Sequence, residues 1–383
     1  MNDTISLLNL DNFVNPFIKA KKIVIKLGSS LITNNGQSID EKLLAHLAGQ
    51  IQVLKSKNID VILVSSGAVA SGMSILKITS RPKQIHDLQA TSAIGQMHLM
   101  HMYKVLFEPF NILAAQVLLT HADFSDRERY LNARGTLNTL INMGAVPIIN
   151  ENDAIVNDEI RFGDNDTLGA LVSSLIDADI LCILTDQKGI YTADPRKDKT
   201  AKLITHASAL DKNLAKFAGA AGSIVGTGGM LTKVLAAYRA AQSGVHTCIA
   251  YGKEENILIN LINGQNIGSL LLSNQTRKNA RKQWMKDHLK LGGHVLLDEG
   301  AFIALSQGKS LLPVGITQVQ GNFLRGDVIA CYFNGKEVGR GISQYNSTEV
   351  KLIAKHSSSD IFNILGYSYA SEIIHRNDLV LIK

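Results

Sequence analysis

The chain has 383 residues, of which 45% are hydrophobic and 19% are charged, with 39 Lys and Arg against 33 Asp and Glu. This apolar content excludes a wholly disordered chain, and the length predicts two domains. The net charge of +6 would favour a nucleic-acid partner if it covered a surface. It is instead concentrated in one short stretch, where a single acid, Asp287, accompanies six basic residues: Arg277, Lys278, Arg281, Lys282, Lys286 and Lys290.

The cysteines and the N-terminus indicate the compartment. Cys182, Cys248 and Cys331 are far apart, and the chain has no CxxC or HExxH motif, so the sequence predicts neither a disulfide framework nor a zinc site. The first 20 residues lack the basic start and apolar core of a signal peptide. No run of about 18 apolar residues occurs, which argues against a membrane span. The expected protein is soluble and cytoplasmic.

After residues 1–20, which we interpret as an N-terminal extension, strands and helices alternate. Residues 22–27 are rich in Ile and Val and predict a strand that ends at Gly28, and apolar residues at 43, 47, 51 and 54 predict a helix. Further strands are predicted at 59–64, 112–118, 145–149, 180–185 and 245–250, with helices after Ala68 and at 130–141, 168–176 and 230–241. The alternation predicts an α/β domain over residues 21–275, with a mostly parallel sheet sandwiched by helices and ligands at the carboxyl ends of the strands.

The pattern changes at the basic stretch. Residues 276–291 are interpreted as a basic linker. Short alternating segments at 295–297, 302–304 and 328–332, separated by glycines, predict a small β-rich domain over residues 292–383.

Two familiar phosphate-binding motifs are incomplete in this chain. Gly308-Lys309-Ser310 has the ending of a Walker A loop, but Ile303 occupies the position of its first glycine. Gly226-Thr227-Gly228-Gly229 begins like a dinucleotide-binding fingerprint, but Leu231 occupies the position of its last glycine. The sequence therefore predicts neither a conventional P-loop nor a Rossmann NAD site.

Four other glycine-bearing segments each follow a predicted strand or open a predicted helix. They are Lys26-Leu27-Gly28-Ser29-Ser30, Ser65-Ser66-Gly67-Ala68, Asn150-Glu151-Asn152-Asp153 with Gly163-Asp164-Asn165-Asp166, and the run from Gly226 to Lys233. Each has an ordinary alternative, such as a solvated strand end, a tight turn or a helix cap. Together, two lysines, glycine loops and an acidic, amide-rich loop on one sheet predict a phosphoryl-transfer site, where positioning and charge neutralisation dominate.

These segments are similar to those of a known protein family. Over residues 20–275 the chain resembles the amino-acid kinase superfamily and, within it, the glutamate 5-kinase family, also through Arg127-Glu128-Arg129-Tyr130-Leu131-Asn132-Ala133-Arg134 and Leu184-Thr185-Asp186-Gln187-Lys188-Gly189-Ile190-Tyr191. The C-terminal part is similar to a PUA domain through Asp298-Glu299-Gly300-Ala301, Ser310-Leu311-Leu312-Pro313-Val314-Gly315-Ile316 and the segment from Gly321 to Asp327. The chain departs from the pattern in its N-terminal extension and in Ser29, where threonine is common.

The resemblance implies ATP-dependent phosphorylation of the γ-carboxylate of L-glutamate, the first step of proline biosynthesis. It implies that Lys26 and Lys233 act on the transferring phosphoryl group and that Asp164 and Asp166 hold these lysines. It also implies that glutamate is bound by Ser66, Asp153 and Asn165. The implied ATP-binding residues are Lys26, Gly28, Ser29, Thr185, Asp186, Thr227, Gly228, Gly229, Met230, Leu231, Thr232 and Lys233. Mg²⁺ is expected to arrive with the ATP phosphates, without a dedicated protein site.

Further partners follow from the same resemblance: proline as a feedback inhibitor, a second copy of the chain in a homodimer or homotetramer, and the next enzyme of the proline pathway. Two alternatives stay open, a related amino-acid kinase with another acidic substrate and an RNA-binding protein that acts through the PUA-like domain. RNA binding draws on clustered basic surface. Because residues 291–383 carry no net charge, a nucleic acid is not the expected partner.

Overall fold

The structure is a computed structural model that describes residues 15–33, 38–156, 165–220, 229–276 and 291–382. The described residues form two compact units, one from those within 15–122 and 134–276 and the other from those within 123–133 and 291–382. Among them, no helix combines the length and the apolar character that crossing a membrane requires. Residues 277–290 of the basic linker lie outside the described residues, and the domain boundaries at 275 and 292 stay predictions.

The described strands of the first unit are β1 (Lys22–Leu27), β2 (Asp60–Ser65), β3 (Ala114–Leu119), β4 (Val146–Glu151), β5 (Ile180–Thr185), β6 (His206–Ser208), β7 (His246–Tyr251) and β8 (Ser269–Leu272). They form one sheet in the order β3-β4-β2-β1-β5-β7-β8-β6, and every neighbouring pair is parallel except β7 and β8. Every residue of β4 and β5 is buried. This burial on both faces accounts for the uniformly apolar strands of the sequence, and the six predicted strands are confirmed.

The helices that accompany these strands are α1 (Ser29–Ile32), α2 (Glu41–Ser56), α3 (Ala68–Ile75), α4 (Ile85–Phe107), α5 (His121–Ser125), α6 (Arg127–Asn142), α7 (Asn165–Leu175), α8 (Asn213–Ala220), α9 (Met230–Gln242) and α10 (Ile257–Ile262). The predicted helices correspond to α2, α3, α6, α7 and α9. The sequence analysis missed α4, which has 23 residues. It also expected a loop of small residues after Gly28, where the structure has the helical turn α1 with Gly28 as its N-cap.

Helices α3 and α4 touch through their backbones at two glycines. A Cβ atom placed on Gly72 of α3 would lie 1.9 Å from the carbonyl oxygen of Thr91, and one placed on Gly95 of α4 would lie 1.8 Å from the carbonyl oxygen of Ala68. Real Cβ atoms do not approach other atoms so closely, so glycine is required at both positions. The pair packs with no side chain between the two backbones at these points.

Residues 291–382 of the second unit contain a mixed sheet and three α-helices. Its strands are β9 (Leu291–Leu297), β10 (Ile316–Gly321), β11 (Val328–Phe333), β12 (Lys336–Ile342) and β13 (Leu379–Leu381), in the order β10-β9-β11-β12-β13. Its helices are α11 (Glu299–Ser306), α12 (Ser347–Ile353) and α13 (Ile361–Leu365). The buried core includes Val295, Phe323, Ile329, Tyr345 and Ile374. The expected small β-rich domain is confirmed.

One predicted segment of this unit was wrong. Residues 302–304, expected as part of the alternating β pattern, lie in helix α11. The helix begins after Asp298, whose side chain accepts a hydrogen bond from the backbone N–H of Ala301 at 2.7 Å. This N-cap satisfies a backbone donor of the first turn and favours the helix over an extended segment.

Residues 123–133 pack within the second unit, which the sequence analysis did not anticipate. Leu131 lies in a buried cluster with Val328 and Ile342. Asn132 Oδ1 accepts a hydrogen bond from Arg325 Nη1 at 2.6 Å. The motif that contains these residues therefore contributes to the packing of the C-terminal sheet.

Candidate active site

Four neighbouring parallel strands, in the order β4-β2-β1-β5, bring the predicted site residues to one edge of the sheet. Their carboxyl ends lie on the same side, which is where open α/β sheets bind ligands. Lys26 is the penultimate residue of β1, Ser66 follows β2, Asp153 follows β4 and Thr185 ends β5.

The centre of this edge is a buried ion cluster of Lys26, Asp166 and Lys233. Lys26 Nζ lies 2.7 Å from Asp166 Oδ1, and Lys233 Nζ lies 3.1 Å from Asp166 Oδ2. The exposed fractions of Lys26, Asp166 and Lys233 are 3%, 0% and 4%. Two ammonium groups on one carboxylate leave a positive charge at the end of β1, and buried charge of this kind persists only where it is paired or has a task.

The cluster shifts the pKa values of its members. Burial alone would raise the pKa of Asp166, but the charges of Lys26 and Lys233 and hydrogen bonds from Lys26 and Thr232 outweigh it, so this pKa is lowered. Burial lowers the pKa of Lys233, Lys26 lowers it further, and attraction to Asp166 and Asp186 only partly opposes the change. Asp166 is therefore firmly ionised, and Lys233 gives up its proton more readily than an ordinary lysine.

The first turn of α9 supplies Lys233 and a second contact to the same carboxylate. Thr232 Oγ1 lies 2.7 Å from Asp166 Oδ2 and 2.7 Å from the carbonyl oxygen of Gly229. Gly229 is the N-cap of α9 and provides no side-chain cap. The N–H groups of this first turn, which includes Met230 and Leu231, are thus available to an anion.

A chain of amide and hydroxyl groups lies next to the ion cluster. Asn165, the first residue of α7, donates through Nδ2 to Ser65 O (2.8 Å), Ser66 Oγ (2.9 Å) and Asn150 Oδ1 (2.9 Å). The structure therefore brings the predicted glutamate-binding residues Ser66 and Asn165 into direct contact. Since Asn165 precedes Asp166, one helix start links this chain to the ion cluster.

The third predicted glutamate-binding residue, Asp153, is held from helix α4. Its Oδ2 accepts a hydrogen bond from Ser92 Oγ at 2.5 Å. One turn further along α4, Gln96 Oε1 accepts from Asn150 Nδ2 at 2.8 Å. Tyr103, also on α4, lies 2.8 Å from Ser65 Oγ.

Sequence reasoning missed these α4 contributions. The signal was present, because Ser92, Gln96 and Tyr103 recur at helical spacings of four and seven residues among apolar positions. Burial raises the pKa of Tyr103 above its ordinary value. Its phenol therefore stays protonated as a hydrogen-bonding partner of Ser65.

The remaining predicted nucleotide-binding residues lie on β5 and after β1. Thr185 is buried, and its Oγ1 donates to Asp186 Oδ1 at 3.0 Å. Gly28 N donates to the carbonyl oxygen of Leu184 at 3.2 Å, which links the ends of β1 and β5, and Ser29 is exposed. Asp164, Thr227 and Gly228 lie outside the described residues.

Among the described residues, no group of three or more His, Cys, Asp and Glu side chains is placed to hold a metal ion. Asp166 is engaged by two lysines. The entry of Mg²⁺ with the ATP phosphates stays a prediction. Mg²⁺ commonly binds to nucleotide phosphates together with one or two protein carboxylates.

Comparison with known proteins matches both units. Residues 21–250 match the model of the amino acid kinase family, and residues 293–365 match that of the PUA domain. A protein named glutamate 5-kinase from Nitrosospira multiformis is 55% identical over 366 residues, covering 95% of this chain and 98% of the relative. Proteins of the same name from Cupriavidus pinatubonensis and Ralstonia pickettii are 56% and 55% identical over 366 and 365 residues, with the same coverage.

Proposed function

Because the chain belongs to the amino acid kinase family and, within it, to the glutamate 5-kinases, we propose that it transfers the γ-phosphoryl group of ATP to the γ-carboxylate of L-glutamate. The product is L-glutamyl 5-phosphate, at the start of proline biosynthesis. The observation that carries the proposal is the buried cluster of Lys26, Asp166 and Lys233 beside the hydroxyl and amide groups of Ser66 and Asn165. It combines positive charge for a phosphoryl group with polar groups for an amino acid.

The chemistry calls for charge neutralisation and no general base. A glutamate carboxylate has an ordinary pKa of about 4.3 and is already an anion at neutral pH. The barrier comes from bringing this anion against an anionic phosphate, so two ammonium groups at the point of transfer stabilise the transition state. Asp166 contacts both lysines and fixes their positions. Lys26 belongs to strand β1 and Lys233 to helix α9.

The substrate groups have complementary partners at this edge. Asp153 would pair with the substrate ammonium, and the Ser66 hydroxyl, which accepts a bond from Asn165, would donate to a carboxylate oxygen atom. The nucleotide is bound by the start of α9, with Gly229, Met230, Leu231 and Thr232, and by Thr185 and Asp186 at the end of β5. Mg²⁺ bound to ATP would neutralise phosphate charge. Proline inhibition, a homodimer or homotetramer, the next pathway enzyme and the cytoplasmic location stay predictions.

The reaction is tested by trapping the acyl phosphate with hydroxylamine during ATP turnover. We expect coloured hydroxamate with L-glutamate and at least about tenfold less with L-aspartate and N-acetyl-L-glutamate, because a poorly placed carboxylate loses the orientation advantage. ATP turnover that does not depend on glutamate, or a preference for another acid, would overturn the proposal.

Replacing Asp153 with asparagine is expected to raise the KM for L-glutamate by about ten- to a hundredfold, the loss of one charge-assisted contact. The KM for ATP should stay within about twofold, because the amide can still accept the bond from Ser92 and lies on the substrate side. Steady-state kinetics with each substrate varied in turn measures both constants. The matched control is Asp60→Asn at the opposite edge of the sheet, and equal losses for both substrates in Asp153→Asn would contradict the assignment.

A further inference from the structure

One face of helix α4 holds the chain segment that follows β4. Gln89, Ser92 and Gln96 are spaced by three and four residues, so they share a face of the helix. Gln89 Nε2 donates to the carbonyl oxygen of Val156 at 3.1 Å, and Ser92 Oγ donates to Asp153 at 2.5 Å. The helix therefore positions the substrate side of the sheet edge.

Gln96 has a specific effect within this set, because it fixes the orientation of an amide. Its Oε1 accepts from Asn150 Nδ2 at 2.8 Å. The other end of the Asn150 amide, Oδ1, then accepts from Asn165 Nδ2 at 2.9 Å and from the backbone N–H of Glu151 at 2.9 Å. A rotated Asn150 amide would place donor against donor at Asn165, so the acceptor on Gln96 sets the direction of the whole chain.

The amide nitrogen of Gln96, Nε2, shows that packing alone does not require an amide at this position. The residue is 8% exposed, and its Nε2 is a buried donor that has no hydrogen-bond partner among the described residues. An unpaired buried donor opposes folding. Stability alone would favour an apolar side chain of similar length, such as methionine. The acceptor bond from Asn150 is what glutamine adds at this position.

We infer that Gln96 is a positioning residue for substrate recognition. It acts through Asn150 on Asn165, and Asn165 presents its amide to Ser66 at 2.9 Å. Without the acceptor on Gln96, Asn150 Nδ2 loses its partner, and only the Glu151 N–H and Asn165 Nδ2 at the other end hold the amide. The bond between Asn150 and Asn165 is then less firmly oriented. The inference rests on the proposed function, since Asn165 and Ser66 are the residues assigned there to glutamate.

The test is the variant Gln96→Met in the full-length protein, assayed with L-glutamate and with ATP varied. The KM for L-glutamate should rise about five- to tenfold, the effect of one lost hydrogen bond in the recognition chain. The KM for ATP should be unchanged, and the melting temperature should stay within about 3 °C of the wild type, because one unpaired donor replaces another. Lys104→Met, on the exposed side of the same helix, is the control and should change neither KM.

A double-mutant cycle separates positioning from general damage. If Gln96 acts through Asn150, Gln96→Met should have no further effect on the glutamate KM in an Asn150→Ala background, so the two effects are not additive. Additive effects would overturn the inference. If Asn150→Ala does not fold, Gln96→Met alone tests the inference. A lowered melting temperature together with equal changes in the KM values for L-glutamate and ATP would indicate a merely structural role for Gln96.

The inference and the proposed function fail differently. If the wild-type protein gives no hydroxamate from L-glutamate, the function is wrong. If the wild type is active and Gln96→Met keeps its glutamate KM, the inference about Gln96 is wrong and the function stands.

Discussion

Replacing Lys233 with alanine is expected to lower kcat by about 10²–10³-fold, the usual effect of removing one preorganised positive donor from a site of developing charge. The KM for L-glutamate should change by less than about threefold, because the ammonium group acts on the transferring phosphoryl group more than on the bound substrate. Lys233 is 4% exposed and 3.1 Å from Asp166, which holds its ammonium group in place before the reaction. Steady-state kinetics in the presence of saturating ATP measures both constants.

The pH dependence gives an independent test of Lys233. Burial lowers its pKa below the ordinary lysine value of 10.5, so kcat/KM for ATP, which reports on the free enzyme, should fall on the alkaline side below that pH. The variant Lys233→Arg keeps the charge at high pH and should move this decline to higher pH. Lys253→Ala removes an exposed ion pair with Asp40 and should leave the profile unchanged. If Lys233→Ala raised the KM for L-glutamate and left kcat unchanged, the assigned role of Lys233 would be ruled out.

Replacing Asp166 with asparagine is expected to lower both activity and stability. The substitution removes the carboxylate that both buried ammonium groups contact, and breaking a buried ion pair in this way destabilises a protein by about 3–5 kcal/mol. Because the carboxylate also fixes Lys26 and Lys233, kcat should fall at least as far as in Lys233→Ala. Urea unfolding at neutral pH, with kinetics on the remaining folded protein, measures the two effects.

The sign of the pH effect on stability follows from the lowered pKa of Asp166. A carboxyl group with a lower pKa in the folded state stabilises the protein above its unfolded pKa, and the stabilisation is lost as the pH falls through the folded value. The difference in unfolding free energy between wild type and Asp166→Asn should therefore shrink in acid. Glu254→Gln, at an exposed position, serves as the control. A pH-independent difference would show that the ion cluster does not contribute through its charges.

Much of the sheet and its central cluster could be predicted from the sequence. Strands buried on both faces carry continuous apolar runs, so β1, β2 and β5 were recognisable without knowledge of their neighbours. The lysine at the end of β1 and the acid at the start of α7 stand out against these runs. Since parallel strands share one carboxyl edge, Lys26 and Asp166 could be expected near each other.

Helix α4 escaped prediction for a physical reason. Its inner face buries Thr91, Ser92 and Gln96 beside Leu88 and Leu99, so the usual contrast between an apolar and a polar face is blurred. Ser92 and Gln96 bond to Asp153 and Asn150, which lie in distant parts of the chain, and a local pattern cannot indicate that. At residues 302–304 the deciding signal was local, because the cap at Asp298 favours a helix over an extended segment.

The backbone contact between α3 and α4 limits which substitutions the protein tolerates. At Gly72 and Gly95 a single added carbon would push the two helices apart. Helix α3 begins directly after the loop that holds Ser66, and α4 holds Asp153 and Asn150, so any such separation alters the distance between the two halves of the recognition edge. The two glycines thus set the spacing between the two halves of the site. Replacing either of them should change the binding of a ligand that neither residue contacts.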